Sequence, residues 1–506
     1  MRGETTEVND RLANDDGAAD MFLDCAFEVA QGIDSLEGRA EIISLIAFRY
    51  ADAGQIDHAV NIAETINDTY LRDQALAGIT AKCIEAGAAD HAEPIADTIE
   101  DDTAFALATE QMAVAYAEQG AFQKSIEVAQ QLEDSAPTLN RIALSLLARG
   151  QLVDALEAAR LIDYPDLKAP LLVELAASAL RDGRNTEAQE LLLEATTTAE
   201  DIEFAEQRIS TLISIASLTN RCGHEDQALE LLSRAHEQCK KSRDYGPDAG
   251  LAEIAGAYAE LKRYDTADKV IEEIENPFQF AHATARVSME FHQSGNTARA
   301  LELLADATEI VSEQEVYGDQ SLFMRESVLG ELAGCYALVG HYDEALEMIG
   351  MMSSQDRQDR SFDEIAKQAV RSGNNTRAFQ AAEMIKDDQA RVFCDLSIVD
   401  ALIKSNQLEL ADHALSRLLA RAAEMKRPHE RALALMEMAP RFAQRDQTAQ
   451  ASQLLSEAVT TLAMIEDGYQ QSQALINLSG KYQKSGQQPG EAEQTVVEDI
   501  LHKLER

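Results

Sequence analysis

Three His-Glu dipeptides, His224-Glu225, His236-Glu237 and His429-Glu430, are the residues here best suited by type to metal-assisted hydrolysis. A zinc hydrolase of that kind needs a second histidine one helical turn on, so that two imidazoles share a face and the glutamate acts as base. None of the three has a histidine four positions later. The segment Gly480–Gly486 is glycine-spaced but lacks the closing Gly-Lys-Ser/Thr of a phosphate loop, and no Gly-x-Ser-x-Gly elbow occurs. Asp and Glu number 89, so abundant that no carboxylate pair stands out, and solvated helical faces account for them. The six cysteines (Cys25, Cys83, Cys222, Cys239, Cys335, Cys394) form no C-x-x-C pair and read as reduced structural thiols. These residues predict a protein that is not an enzyme, with no cofactor and no metal site.

The elements that carry these residues are set by an internal repeat. A turn residue recurs at Gly54, Gly87, Gly120, Gly150, Gly183, Gly223, Lys262, Gly295, Gly340, Gly373, Asn406, Asp446 and Gly486, with spacings of 30 to 45 and a commonest value of 33. Such a period marks a solenoid of helical hairpins. Seven before each turn stands a small residue or valine, as at Ala113, Ala143, Ala176 and Val399, and five after it an alanine or serine, as at Ala59, Ser125 and Ala155. Small residues on facing helices let the backbones approach, and a large side chain there overpacks the contact by roughly 1–3 kcal/mol. In the last unit the alanine comes one position late, at Ala492. Four before the turn a ring often fills the remaining space, as at Tyr50, Tyr116, Tyr258, Tyr336, Phe442 and Tyr482. Pro137, Pro165, Pro247, Pro277 and Pro428 fall at the joint between one hairpin and the next, while Pro440 lies inside a predicted helix and is expected to kink it. Spacings of 39 or 40 equal 33 plus about two helical turns, which lengthens paired helices without changing their faces. Seven cations stand fifteen before a turn, among them Arg39, Arg72, Lys168, Arg208 and Arg391. A cation at a helix start opposes the helix dipole, so each is expected to have a partner: Asp68 for Arg72, Asp387 for Arg391, or the end of the preceding helix.

The run Ala113, Tyr116, Gly120 with Pro137 at the next joint resembles the tetratricopeptide repeat, as do Ala255–Tyr258–Ala267 and Ala333–Tyr336–Gly340–Ala345. The resemblance covers roughly 21–506, without the family's first-position Trp. It implies an all-α, right-handed superhelical solenoid of about thirteen helix-turn-helix repeats. It also implies that the first helix of each hairpin lines a concave groove for peptides or protein segments. Positions nine and two before the turns then point into the groove. The candidate partner-binding residues are Gln111, Arg141, Glu174, Arg181, Arg221, Glu253, Arg286, Glu331, Glu364, Arg371, Lys404 and Glu437. The family's carboxylate clamp is absent, since Ser44, Phe48, Ala77 and Ala81 occupy the comparable places.

The formal net charge of −45 argues against nucleic acid and anionic membranes as ligands and permits basic partners. A solvated convex face is the plainer reading of the charge, and a salt-adapted proteome a further one. With no membrane-length apolar run and no signal-like start, a cytoplasmic location is the default. Residues 1–18 read as a disordered polar tail and 19–506 as one array. That array opens on an unpaired helix, because Ala26–Ala30 aligns with Ala59–Ala63, and ends in a helix at 491–506 without a polar cap. Self-association through an array end is therefore expected. The functional expectation is a non-catalytic scaffold that binds a partner segment along the groove; the alternative is a peptide- or metabolite-sensing regulator.

Overall fold

The computed structural model describes residues 17–241, 247–314, 318–485 and 489–504. Residues 1–16 of the expected tail, the turn at Gly486 and residues 315–317 of the expected long loop lie outside the described residues. All regular structure among the described residues is helical, in 27 helices. The chain forms two compact units, Met1–Gln119 with Lys386–Arg506 (unit 1) and Gly120–Ile385 (unit 2).

Unit 1 begins with α1 (Gly17–Gln31), α2 (Leu36–Asp52), α3 (Ile56–Ala63), α4 (Thr69–Glu85), α5 (Ala89–Ala96) and α6 (Asp102–Glu118). Unit 2 holds α7 (Phe122–Ala129), α8 (Ala136–Ala148), α9 (Leu152–Arg160), α10 (Pro165–Arg181), α11 (Asn185–Ala199), α12 (Ala205–Arg221), α13 (Glu225–Lys241) and α14 (Pro247–Glu260). It continues with α15 (Tyr264–Ile271), α16 (Pro277–Gln293), α17 (Thr297–Glu313), α18 (Gly318–Leu338), α19 (Tyr342–Gly350), α20 (Gln355–Arg371) and α21 (Asn375–Met384). Unit 1 resumes with α22 (Asp388–Lys404), α23 (Leu408–Glu424), α24 (Pro428–Gln444), α25 (Thr448–Leu462), α26 (Gly468–Ser485) and α27 (Glu491–Leu504). The even-numbered helices are the first members of the hairpins, the A helices; the odd-numbered ones from α1 to α25 are B helices. The expected insertions are long B helices: α11, α13, α23 and α25 run 15 to 17 residues, against eight in α3 and α5.

Among the described residues, every hairpin turn is left-handed at its turn residue. Gly54 sits at φ +79°, and the N–H of Gln55 reaches back to the carbonyl of Tyr50 at 2.9 Å. This is the reverse bond that ends a helix on a left-handed residue. Lys262, Asn406 and Asp446 adopt the same conformation at φ 57° to 58°. Asparagine and aspartate tolerate it, whereas lysine bears about 1 kcal/mol of strain. Lys262 is held there because Arg263 N–H still bonds the Tyr258 carbonyl at 2.8 Å, as in the glycine turns. The register residues behave as expected: Ala113, Ala143, Ala176, Ala59 and Ala155 have no exposed surface. The joint prolines occupy the first turn of an A helix, where a missing N–H is harmless.

The cations at the A-helix starts serve the joints. Arg39 donates twice to the Ile33 carbonyl (2.7 and 3.0 Å), Arg208 donates to Ile202 and Lys168 to Arg160, so the end of the preceding segment is the partner. The expected Asp68–Arg72 pair does not form. Asp68 caps α4 by accepting from Leu71 N–H, and Arg72 pairs with Asp73 at 2.9 Å. Asp387 likewise caps α22 at Ala390. The sequence reading missed the next register. Asp73, fully buried, accepts the N–H groups of Glu100 and Asp101 (2.8 and 2.9 Å), pinning the following joint. Asp248 does the same for Glu275 and Asn276, and Glu326 for Ser353 and Ser354.

The helix that lacks an A partner in sequence finds one at the other end of the chain. Within unit 1, α1 packs along α26 as a B helix packs on its A helix, and α26 packs against α2. Phe22 and Tyr482 meet at 5.2 Å between ring centroids, and Ser472 donates to the Ala26 carbonyl at 3.2 Å. Ala26 has no exposed surface, while Ala492 is exposed. The assignment of Ala492 to the small-residue register is thus corrected: Ala26 fills that place, and α27 packs instead against α1 and α25. The apolar faces expected to be open at the two array ends cover each other.

Candidate ligand-binding surface

Within each unit, consecutive A helices pack directly on one another, whereas the B helices of consecutive hairpins make at most marginal contact, and α27 packs on both α25 and α1. The A helices thus form the more closely packed layer of each unit. All twelve residues expected in the groove lie on A helices. In unit 2, Arg141, Glu174, Arg181, Arg221, Glu364 and Arg371 are exposed, and Glu253, Arg286 and Glu331 are half-buried. In unit 1, Lys404 is exposed, and Gln111 and Glu437 are half-buried.

The structure brings some of these together. In unit 2, Glu331 pairs with His282, and Ser217 donates to Glu260 at 2.7 Å. The Arg286 guanidinium lies across Gly256, where an added Cβ would stand 3.0 Å from Nε, so a larger residue would displace it. Burial, reinforced by Glu260, raises the Glu290 carboxyl above its ordinary range despite Arg286 nearby. This stretch is acidic and partly desolvated.

Unit 1 is different. Arg441 on α24 holds Asp400 on α22 through two bonds (2.8 and 3.0 Å) and reaches Glu437 at 3.1 Å. Lys481 on α26 pairs with the same Glu437 at 2.7 Å. Beside them opens a cavity of about 710 Å³ whose wall includes Lys404, Arg441, Lys481 and Lys484. Its apolar wall includes Ile403, Pro440, Ala443 and Leu455. Proline and alanine at the A-helix contact leave this volume unfilled. At the equivalent contact of α2 and α4, the Phe48 ring occupies the space over Gly78. Because α26 packs on α2, the basic run continues through Arg49, which approaches Gly480, to Lys82, paired with Asp52 at 3.2 Å.

Arg441, Lys481 and Asp400 are absent from the sequence-derived set, which considered only nine and two before the turn. Five and six before the turn lie on the same helical stripe, so a full i, i+3/i+4, i+7 reading would have found them. Among the described residues no group of three metal-ligating side chains converges, and no helix is long and apolar enough to cross a membrane.

No protein-family model matches the chain, and no curated protein sequence does. Among solved structures, the chain is similar to the human IFIT1 dimer with PPP-AAAA, at 16% identity and a TM-score of 0.30, over 88% of this chain and 95% of that one. It is similar to a Rap protein complexed with competence and sporulation factor, at 13% identity and a TM-score of 0.28, over 65% and 99%. It is also similar to the apo quorum sensor NprR from B. thuringiensis, at 11% identity and a TM-score of 0.26, over 70% and 97%. The turn geometry and the buried small-residue register of this chain itself define its architecture, a tetratricopeptide-like helical-repeat solenoid.

Proposed function

We propose that the protein is a non-catalytic scaffold that holds a segment of a partner protein against the inner face of its A helices. One contrast carries this reading. Seven before the turn, every A-helix residue is buried; two positions earlier, on the stripe expected to line the groove, the side chains stay exposed or half-buried and vary in charge. A varied polar stripe on a rigid stack supplies side-chain recognition without needing a pocket. The acidic stretch of Glu253, Glu260, Glu290 and Glu331 suits a basic segment in unit 2, and the overall charge of −45 disfavours nucleic acid and anionic membrane. Site-specific photo-crosslinking tests the reading. A crosslinker at Glu174 or Arg221 should capture a discrete protein partner from the native host, and one at the exposed outer residue Leu193 should not. Equal capture from both faces, or none from the inner one, defeats it.

A further inference from the structure

The cavity in unit 1 has properties that a groove for extended segments does not require. Its volume, about 710 Å³, lies in the range of enclosing small-molecule sites. Its walls combine an apolar floor with four cations, of which Arg441 and Lys481 are paired, to Asp400 and Glu437. Among the described residues, Lys404 and Lys484 form no ion pair. Two unpaired ammonium groups on one apolar cavity stand out in a chain with twice as many acidic as basic residues, where carboxylate partners are plentiful. Charge complementarity therefore points to an anion supplied from outside. The apolar floor points to a hydrocarbon body attached to it.

The cavity has a local cause. Pro440 lacks an N–H and leaves the Met436 carbonyl without its helical donor. With Ala443 it keeps the α24 surface low between Ile403 of α22 and Lys481 of α26. The Arg441–Asp400 pair lines the cavity, and its two bonds fix the guanidinium.

We infer that this cavity binds a small amphipathic organic acid, its apolar body on Pro440, Ala443 and Leu455 and its carboxylate between Lys404 and Lys484. This deepens the groove reading by giving unit 1 a small ligand of its own, and it stands without a protein partner. Titration calorimetry of the full chain with octanoate, and with octanamide as its neutral isostere, tests it. Octanoate should bind at low salt at least about tenfold more tightly than octanamide, and should weaken as salt screens the ammonium groups. Lys404→Gln with Lys484→Gln should reduce octanoate affinity by about tenfold or more while leaving the circular dichroism and melting temperature unchanged, since both lysines are exposed. Absence of octanoate binding, equal binding of octanamide, or an unaffected double variant each overturns the inference. So does a short peptide ending in leucine that binds through its free carboxylate, and not when amidated, where octanoate fails: the site would then hold a partner's C-terminus. Loss of inner-face crosslinking would leave the octanoate result standing, so the two readings fail separately.

Discussion

Ala26→Leu and Ala492→Leu together decide how the last hairpin is completed. The sequence register assigns the small contact residue of that hairpin to Ala492; the structure assigns it to Ala26, some 440 residues away from α26 in the chain. Ala26 has no exposed surface on the helix that packs along α26, and its carbonyl accepts from Ser472, whereas Ala492 faces solvent. Three added carbons at a site with no free space force α1 outward or α26 off its rotamers, at about 1–3 kcal/mol. The same change on an exposed helical face stays within about 0.5 kcal/mol. For a cooperative unit of this size, 1 kcal/mol moves the midpoint by about 2–4 °C. Ala26→Leu should therefore lower the unit 1 transition by roughly 2–12 °C, and Ala492→Leu should leave it nearly unchanged. Ala59→Leu, in the same register of an ordinary hairpin, calibrates the scale and should resemble Ala26→Leu. Calorimetry gives the midpoints, and hydrogen exchange of the α26 amides localises the loss. A silent Ala26→Leu beside a costly Ala492→Leu would refute the end-to-end pairing and restore α27 as the partner of α26.

Four further outcomes follow from named contacts. Burial would raise the Asp73 carboxyl, but two backbone N–H groups and Arg72 outweigh it and hold it below its ordinary value; Asp73→Ala orphans those donors and should cost about 2–4 kcal/mol at pH 7 by urea unfolding. Because the folded value is the lower one, the wild-type advantage is complete above the unfolded pKa, near 4, and disappears as pH falls through the folded value. Glu290 has the opposite sign: its folded value is raised by burial and Glu260, so its charge disfavours folding at neutral pH and not below the unfolded pKa. Glu290→Gln should thus stabilise unit 2 slightly at pH 7, by about 0.5 kcal/mol, with the gain fading toward pH 4. Lys262→Gly removes left-handed strain at an exposed turn and should raise stability by about 0.5–1 kcal/mol in urea titration. Among the cysteines, burial pushes Cys25 and Cys335 up to about 12 and Cys83 and Cys239 up to about 11, so mass-mapped iodoacetamide labelling at pH 8 should reach half-buried Cys222 first.

The hairpins were legible in the sequence because their geometry is enforced locally. A left-handed turn selects glycine, or Asn406 and Asp446, and a close helix contact selects alanine, and both signals recur at fixed offsets. The cation register was half legible. A charge opposing a helix dipole announces that it needs a partner, but Asp68 was worth more as a cap than as a mate for Arg72, and spacing alone does not rank those uses. The acidic residues that pin the joints were hidden among 89 carboxylates, since nothing in composition separates buried Asp73 from its solvated neighbours. The cavity beside Pro440 was illegible for a different reason. A void is set by what four helices fail to supply, and the sequence marks only one contributor, the proline expected to kink α24.

The pairing of α1 with α26 alters the energetics of the array. In an open solenoid each repeat touches only its neighbours, and the terminal repeats lose contacts on one side. Here the Ala26–Ser472 contact spans 446 residues, whereas Tyr50 reaches Asp24 across 26. Treated as flexible-loop closure, the longer span costs about 2–3 kcal/mol more. Each large apolar side chain fully buried returns about 1.5–3 kcal/mol. Phe22, Leu23 and Val29 of α1, with Leu475, Leu478 and Tyr482 of α26, are all buried in unit 1, so the gain exceeds the added entropy several-fold. The balance makes the pairing stable, and its sequence separation makes it late, because both ends must already be helical before they can meet. It also means that residues 1–119 and 386–506 each hold half of one core: expressed apart, the first would expose the face of α1 and the second that of α26.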